Sequence, residues 1–141
     1  MKHLPVLAAF LGAICSLSHS DAKAACAEEW LYGTWRSSPD KSIENMSFQG
    51  TVLQGPARER MKAIFGTHVH QIGKRIFTVR IESPNLAATE TQSEYSLKSC
   101  TESTVTLGFR RKDWPDLVLF RTEGCYMVRA QNNFEYFCRT Q

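Results

Sequence analysis

Apolar positions follow two different periods along this chain. Ala57, Met61, Ile64 and Phe65 fall at i, i+4, i+7 and i+8, one stripe with Arg58, Glu59, Arg60 and Lys62 on the wet side. Gly55-Pro56 leads into the stripe and Gly66 follows it, which predicts a short helix over residues 57–65. Too short to be stable alone, it must lie on another apolar surface. After Gly66 the period becomes two. Segments 68–72, 75–81, 89–98, 104–109, 117–121, 125–129 and 134–139 read as strands, with Phe77, Val79 and Ile81 on one face and Tyr95 and Leu97 turned inward. Gly73-Lys74, Ser83-Pro84-Asn85, Glu123-Gly124 and Gln131-Asn132-Asn133 break the run. Upstream, a strand from about Gly33 to Pro39 fits, and residues 46–53 read as a weak strand or an extended link.

Seven or eight consecutive antiparallel strands do not stay flat. They curl, and closure removes the edges that invite aggregation. The expected fold is mainly β: a small antiparallel up-and-down barrel, with the helix plugging or covering one end. The alternative is an open curved sheet with the helix in its concave face.

Residues 1–24 read as a secretory signal peptide. Lys2 and His3 are followed by an apolar run over 4–17, a polar stretch, and Ala22-Lys23-Ala24 with small residues at the positions a signal peptidase reads. The apolar run is short for a membrane span, which needs about 20 residues. Residues 25–141 are then one domain, in a periplasmic or secreted location. Of five cysteines, Cys15 leaves with the leader, and Cys26, Cys100, Cys125 and Cys138 remain as two disulfides in an oxidising compartment. A hairpin pivoting at Gln131-Asn132 would set Cys125 opposite Cys138 and leave Cys26 to Cys100. One pivoting near Lys112-Asp113 would set Cys100 opposite Cys125 and leave Cys26 to Cys138. The first pairing is preferred, and the second stays open.

Gly33-Thr34-Trp35, after Leu31-Tyr32, resembles the Gly-x-Trp motif on the first strand of the calycins, the lipocalin and fatty-acid-binding group. The resemblance implies that Trp35 packs across the barrel base and that Arg139, on the last strand, covers it. It also implies an interior that holds a small hydrophobic molecule, with Trp35, Phe65, Phe77 and Tyr95 as lining.

Other residues suggest other chemistry. His68-Val69-His70 places two imidazoles on one strand face, where a metal could be shared if Glu90 or Glu94 joined them. The plainer reading is a polar, solvent-facing side with Val69 inward. Glu90, Glu94 and Glu102 could pair as acid and base, but scattered surface carboxylates explain them better. Arg110-Arg111-Lys112, with Trp114 beside Pro115, forms a basic loop able to contact a partner. No nucleophile motif is present, so no catalytic residue is assigned and no cofactor is implied.

Composition narrows the classes further. Among 141 residues, 43% are hydrophobic and 22% charged, as in ordinary globular domains. The net charge of +3 is spread along the chain and does not point to nucleic acid. The leading expectation is a monomeric exported binding protein of lipocalin type, with no membrane span after signal cleavage. The alternative is an envelope interaction module, an enzyme inhibitor or immunity protein, acting through its loops.

Overall fold

The computed structural model describes residue 26, residues 28–44 and residues 46–140. The predicted leader lies outside these residues. A 3-10 turn, Glu28–Leu31, enters strand β1 (Gly33–Ser37). Then come helix α1 (Pro39–Glu44), the small strands β2 (Ser47–Phe48) and β3 (Thr51–Val52), and helix α2 (Gly55–Phe65). Seven strands follow: β4 (His68–Ile72), β5 (Ile76–Ile81), β6 (Thr89–Cys100), β7 (Thr104–Phe109), β8 (Leu117–Thr122), β9 (Cys125–Ala130) and β10 (Asn133–Arg139).

Eight strands close into an antiparallel barrel in the order β1-β10-β9-β8-β7-β6-β5-β4. Closure depends on β1. Its Trp35 sits opposite His70 of β4 on one side and Arg139 of β10 on the other. The open-sheet alternative therefore does not form. The β4–β5, β6–β7 and β8–β9 turns share one end, the base, with the 3-10 turn and the end of β10. The β1–β4 connection and the other three loops share the opposite end, the mouth.

The barrel core is Leu31, Trp35, Ile72, Phe77, Val105, Leu107, Leu119, Tyr126 and Phe137, all buried. Each large apolar side chain of this kind contributes roughly 1.5–3 kcal/mol on burial. At the base, Trp35 Nε1–H donates to the Leu31 carbonyl at 2.8 Å. The Arg139 guanidinium lies 4.7 Å from the Trp35 ring centroid, and its Nη2 donates to the Trp30 carbonyl at 2.6 Å. Gly33 takes φ 138°, a conformation L side chains rarely adopt, and a Cβ there would meet Arg139 Nη1 at 3.2 Å. The glycine, the tryptophan and the arginine of the first and last strands thus form one packed unit. Two disulfides brace it. Cys26–Cys100 ties the chain before the 3-10 turn to β6, and Cys125–Cys138 clamps β9 to β10.

Two features differ from expectation. Residues 39–44 form α1, where the sequence predicted a strand ending by Pro39 and no element after it until residue 46. Ser38-Pro39-Asp40 explains the helix: Pro suits the first helical position, Asp suits the first turn, and Ser42 N–H bonds the Ser38 carbonyl at 3.0 Å. The predicted helix is present as α2, but it does not plug the barrel. Its Phe65 and Met61 pack with Ile43 and Met46 in a separate apolar cluster, and α1 lies against β10. Met61 and Phe65 of the α2 stripe find partners in Ile43 and Met46, away from the barrel interior, while Ile64 of the same stripe is exposed. Residues 46–53 become a two-strand hairpin through Gln49-Gly50, both at positive φ.

Candidate functional site

A cavity of about 560 Å³ lined by Trp30, Trp35, Arg121 and Arg139 lies at the base, and an aromatic-walled cavity of about 460 Å³ lies towards the mouth. That is within the range of small-molecule sites, roughly 300–1,000 Å³. Alternation along the strands supplies its walls: Phe77 and Val79 from β5, Phe109 from β7, Leu117 from β8, Val128 from β9 and Phe137 from β10. Trp114 closes one side. It lies edge-on to Phe109 at 5.0 Å and to Phe77 at 6.3 Å between ring centroids.

A polar ladder crosses one wall. His68 Nδ1 lies 3.1 Å from Glu135 Oε1, near the mouth. Two residues deeper on β4, His70 stacks on Phe137 with centroids 3.8 Å apart, and its Nδ1 lies 2.7 Å from the Tyr126 hydroxyl. His70 is only 8% exposed and Tyr126 is fully buried. The two histidines titrate in opposite senses. The hydrogen bond to Glu135 raises the His68 pKa despite partial burial. Burial, and secondly the neighbouring His68, push His70 down to about 3, so its imidazole is neutral at ordinary pH. Burial also pushes the Tyr126 hydroxyl well above its usual range.

This arrangement reverses the plainer reading of His68-Val69-His70. Both imidazoles line the interior cavity, His70 buried and His68 partly open to solvent at the mouth. The carboxylate that meets them is Glu135, on a strand that barrel closure brings close. Glu90 and Glu94 are exposed on β6, where Thr91 and Ser93 alternate inward. Glu94 is bonded by Arg110 at 2.9 Å, and Glu102 is exposed in the β6–β7 turn. Among the described residues, no three His, Cys, Asp or Glu side chains group closely enough to hold a metal ion.

The four residues expected to line a ligand site are not brought together. Phe77 lines the mouth cavity. Trp35 closes the base, and Phe65 belongs to the cluster between the helices. Tyr95 packs against the barrel core, and its hydroxyl donates to the Gly73 carbonyl at 2.6 Å. Burial, then Tyr32 and Glu28, push the Tyr95 pKa up to about 12. In the basic loop, Arg110, Arg111 and Lys112 are exposed, but Arg111 grips Asp113 through two bonds at 3.1 and 2.7 Å. Trp114 is half-buried and turned onto the core rings, with the Arg111 guanidinium 5.5 Å from its ring centroid.

Glu135 escaped sequence reasoning although a signal was present. On β10 it shares a face with Phe137 and Arg139, so a carboxylate sits on the inward side of an amphipathic strand. No family model matches the sequence, and no curated protein or solved structure matches it either.

Proposed function

We propose that this chain is an exported binding protein of calycin type, periplasmic or secreted, that holds a small, largely apolar molecule at the mouth of its barrel. The observation that carries this reading is the aromatic-walled cavity of about 460 Å³ towards the mouth. The two disulfides agree with an oxidising location. Among the described residues, no helix is long and apolar enough to cross a membrane. The union of Gly33, Trp35 and Arg139 at the base supports the calycin comparison. Fold alone does not assign a ligand, so the cavity carries the functional argument.

The loop reading, an inhibitor or immunity protein contacting its target through Arg110, Arg111, Lys112 and Trp114, has less support. Trp114 is engaged with Phe109, and Arg110 and Arg111 already have carboxylate partners.

The test is extraction of protein purified natively from cell envelope, followed by mass spectrometry of whatever denaturation releases. Stoichiometric release of a small molecule, or stoichiometric uptake of Nile red by emptied protein, is expected. Neither release nor uptake would refute a binding role.

A further inference from the structure

The cavity's polar groups are unevenly chosen. Its lining includes no Lys or Arg, and its one permanent charge is Glu135. One carboxylate oxygen is held by His68, and among the described residues Oε2 has no hydrogen-bond partner. The same is true of His70 Nε2, on a ring more than nine-tenths buried in the cavity wall. The His70–Tyr126 hydrogen bond forms with either imidazole tautomer, so His70 Nε2 presents a lone pair or an N–H to the cavity. The Thr91 hydroxyl adds an acceptor from β6. A ligand carboxylate would meet Glu135 with only His68, already paired to that carboxylate, as a cation, which is unfavourable beside an apolar wall. A protonated amine would meet the unshared oxygen of Glu135 and the Thr91 hydroxyl. Around it, Phe77, Phe109, Trp114 and Phe137 present ring faces and edges suited to an aromatic body.

We propose, building on the binding reading above, that the cavity selects compact aromatic amines, bound as cations on Glu135, against carboxylates of the same shape. His68 then acts as a competing internal cation. A protonated ligand entering beside Glu135 displaces the proton of His68 to solvent wherever His68 carries one in the free protein. Affinity therefore rises with pH as His68 loses its proton. The groups facing His68 are Glu135 from β10, His70 from its own strand and, more deeply, Tyr126 from β9; β5, β6, β7 and β8 give the lining no titratable side chain.

The experiment is calorimetric titration of the emptied full-length mature protein with tryptamine, indole and indole-3-acetate, with Nile red as a neutral reference. Tryptamine should bind at least about tenfold more tightly than indole-3-acetate near neutral pH, since charge-assisted hydrogen bonds are among the stronger ones. Its affinity should strengthen with rising pH, and buffers of different ionisation enthalpy should report proton release. Glu135→Gln, which keeps the side-chain shape, should abolish both the preference and the pH slope, with near-ultraviolet circular dichroism showing that the variant is folded. Equal affinity for the three indoles, or preference for the carboxylate, would overturn the amine proposal. Nile red binding with no indole bound would overturn it too, leaving the binding reading intact. Failure of all four probes would remove both.

Discussion

His70 is the residue on which sequence and structure differ most. A histidine in an alternating strand reads as a solvent-facing polar position, yet this one is stacked on Phe137 and bonded to Tyr126. Replacing it by Phe keeps the stack and leaves the Tyr126 hydroxyl buried and unpaired. Such a group costs roughly 1–3 kcal/mol. His70→Phe should lose about that much stability in urea unfolding, and adding Tyr126→Phe should restore most of it. The same burial makes stability depend on acid. Unfolded, His70 titrates near 6.5, and folded it stays neutral until about 3. Between these values the unfolded chain binds the extra proton, so stability falls as pH drops, by up to about 1.4 kcal/mol per pH unit. His68 works in the other direction. Its folded pKa is raised, so its contribution is complete below 6.5 and is lost as pH rises through the folded value. Urea midpoints across pH should show an acid limb that flattens in His70→Phe and an alkaline slope that vanishes in Glu135→Gln.

At the scale of elements, the strands and α2 were legible because each has a period of its own and a Gly, Pro or Asn boundary. α1 was not found from periodicity because six residues carry too little of it; only Ser38-Pro39-Asp40 marked it. β1 was legible for a different reason, the Gly33-x-Trp35 spacing, and its packing gives a prediction. Arg139→Ala removes the cover over Trp35 and the bond to the Trp30 carbonyl. A loss of about 1–2 kcal/mol is expected in thermal or urea unfolding. The cysteines offer a second contrast. Cys26–Cys100 spans 74 residues of sequence and Cys125–Cys138 only 13. Loop-closure entropy assigns them about 4–5 and about 3 kcal/mol. Paired Cys-to-Ser variants should therefore destabilise more at Cys26 and Cys100. Equal losses would show that the chain before the 3-10 turn is already fixed by Trp30 and Leu31.

Across the whole molecule, closure is the fact that local pattern could not supply. Alternation identifies which face of each strand is apolar, but not which strands meet across the interior. The contacts of His68 with Glu135 and of His70 with Tyr126 join positions separated by 67 and 56 residues, and they exist only because β1 seats itself between β4 and β10. For the same reason the candidate site was only partly readable. Phe77 was found, whereas Trp35, Phe65 and Tyr95 fell in the base, in the helical cluster and on the barrel core away from the cavity. The account stands on that cavity being a working receptor. The most direct test is a fluorescence titration of emptied protein with Nile red, comparing wild type with Val79→Trp, whose indole would fill the space between Phe77, Phe109 and Val128. The prediction is one saturable site in the wild type and none in the variant, with near-ultraviolet circular dichroism confirming that the variant is folded. No saturable site in the wild type, or undiminished binding by folded Val79→Trp, would contradict it.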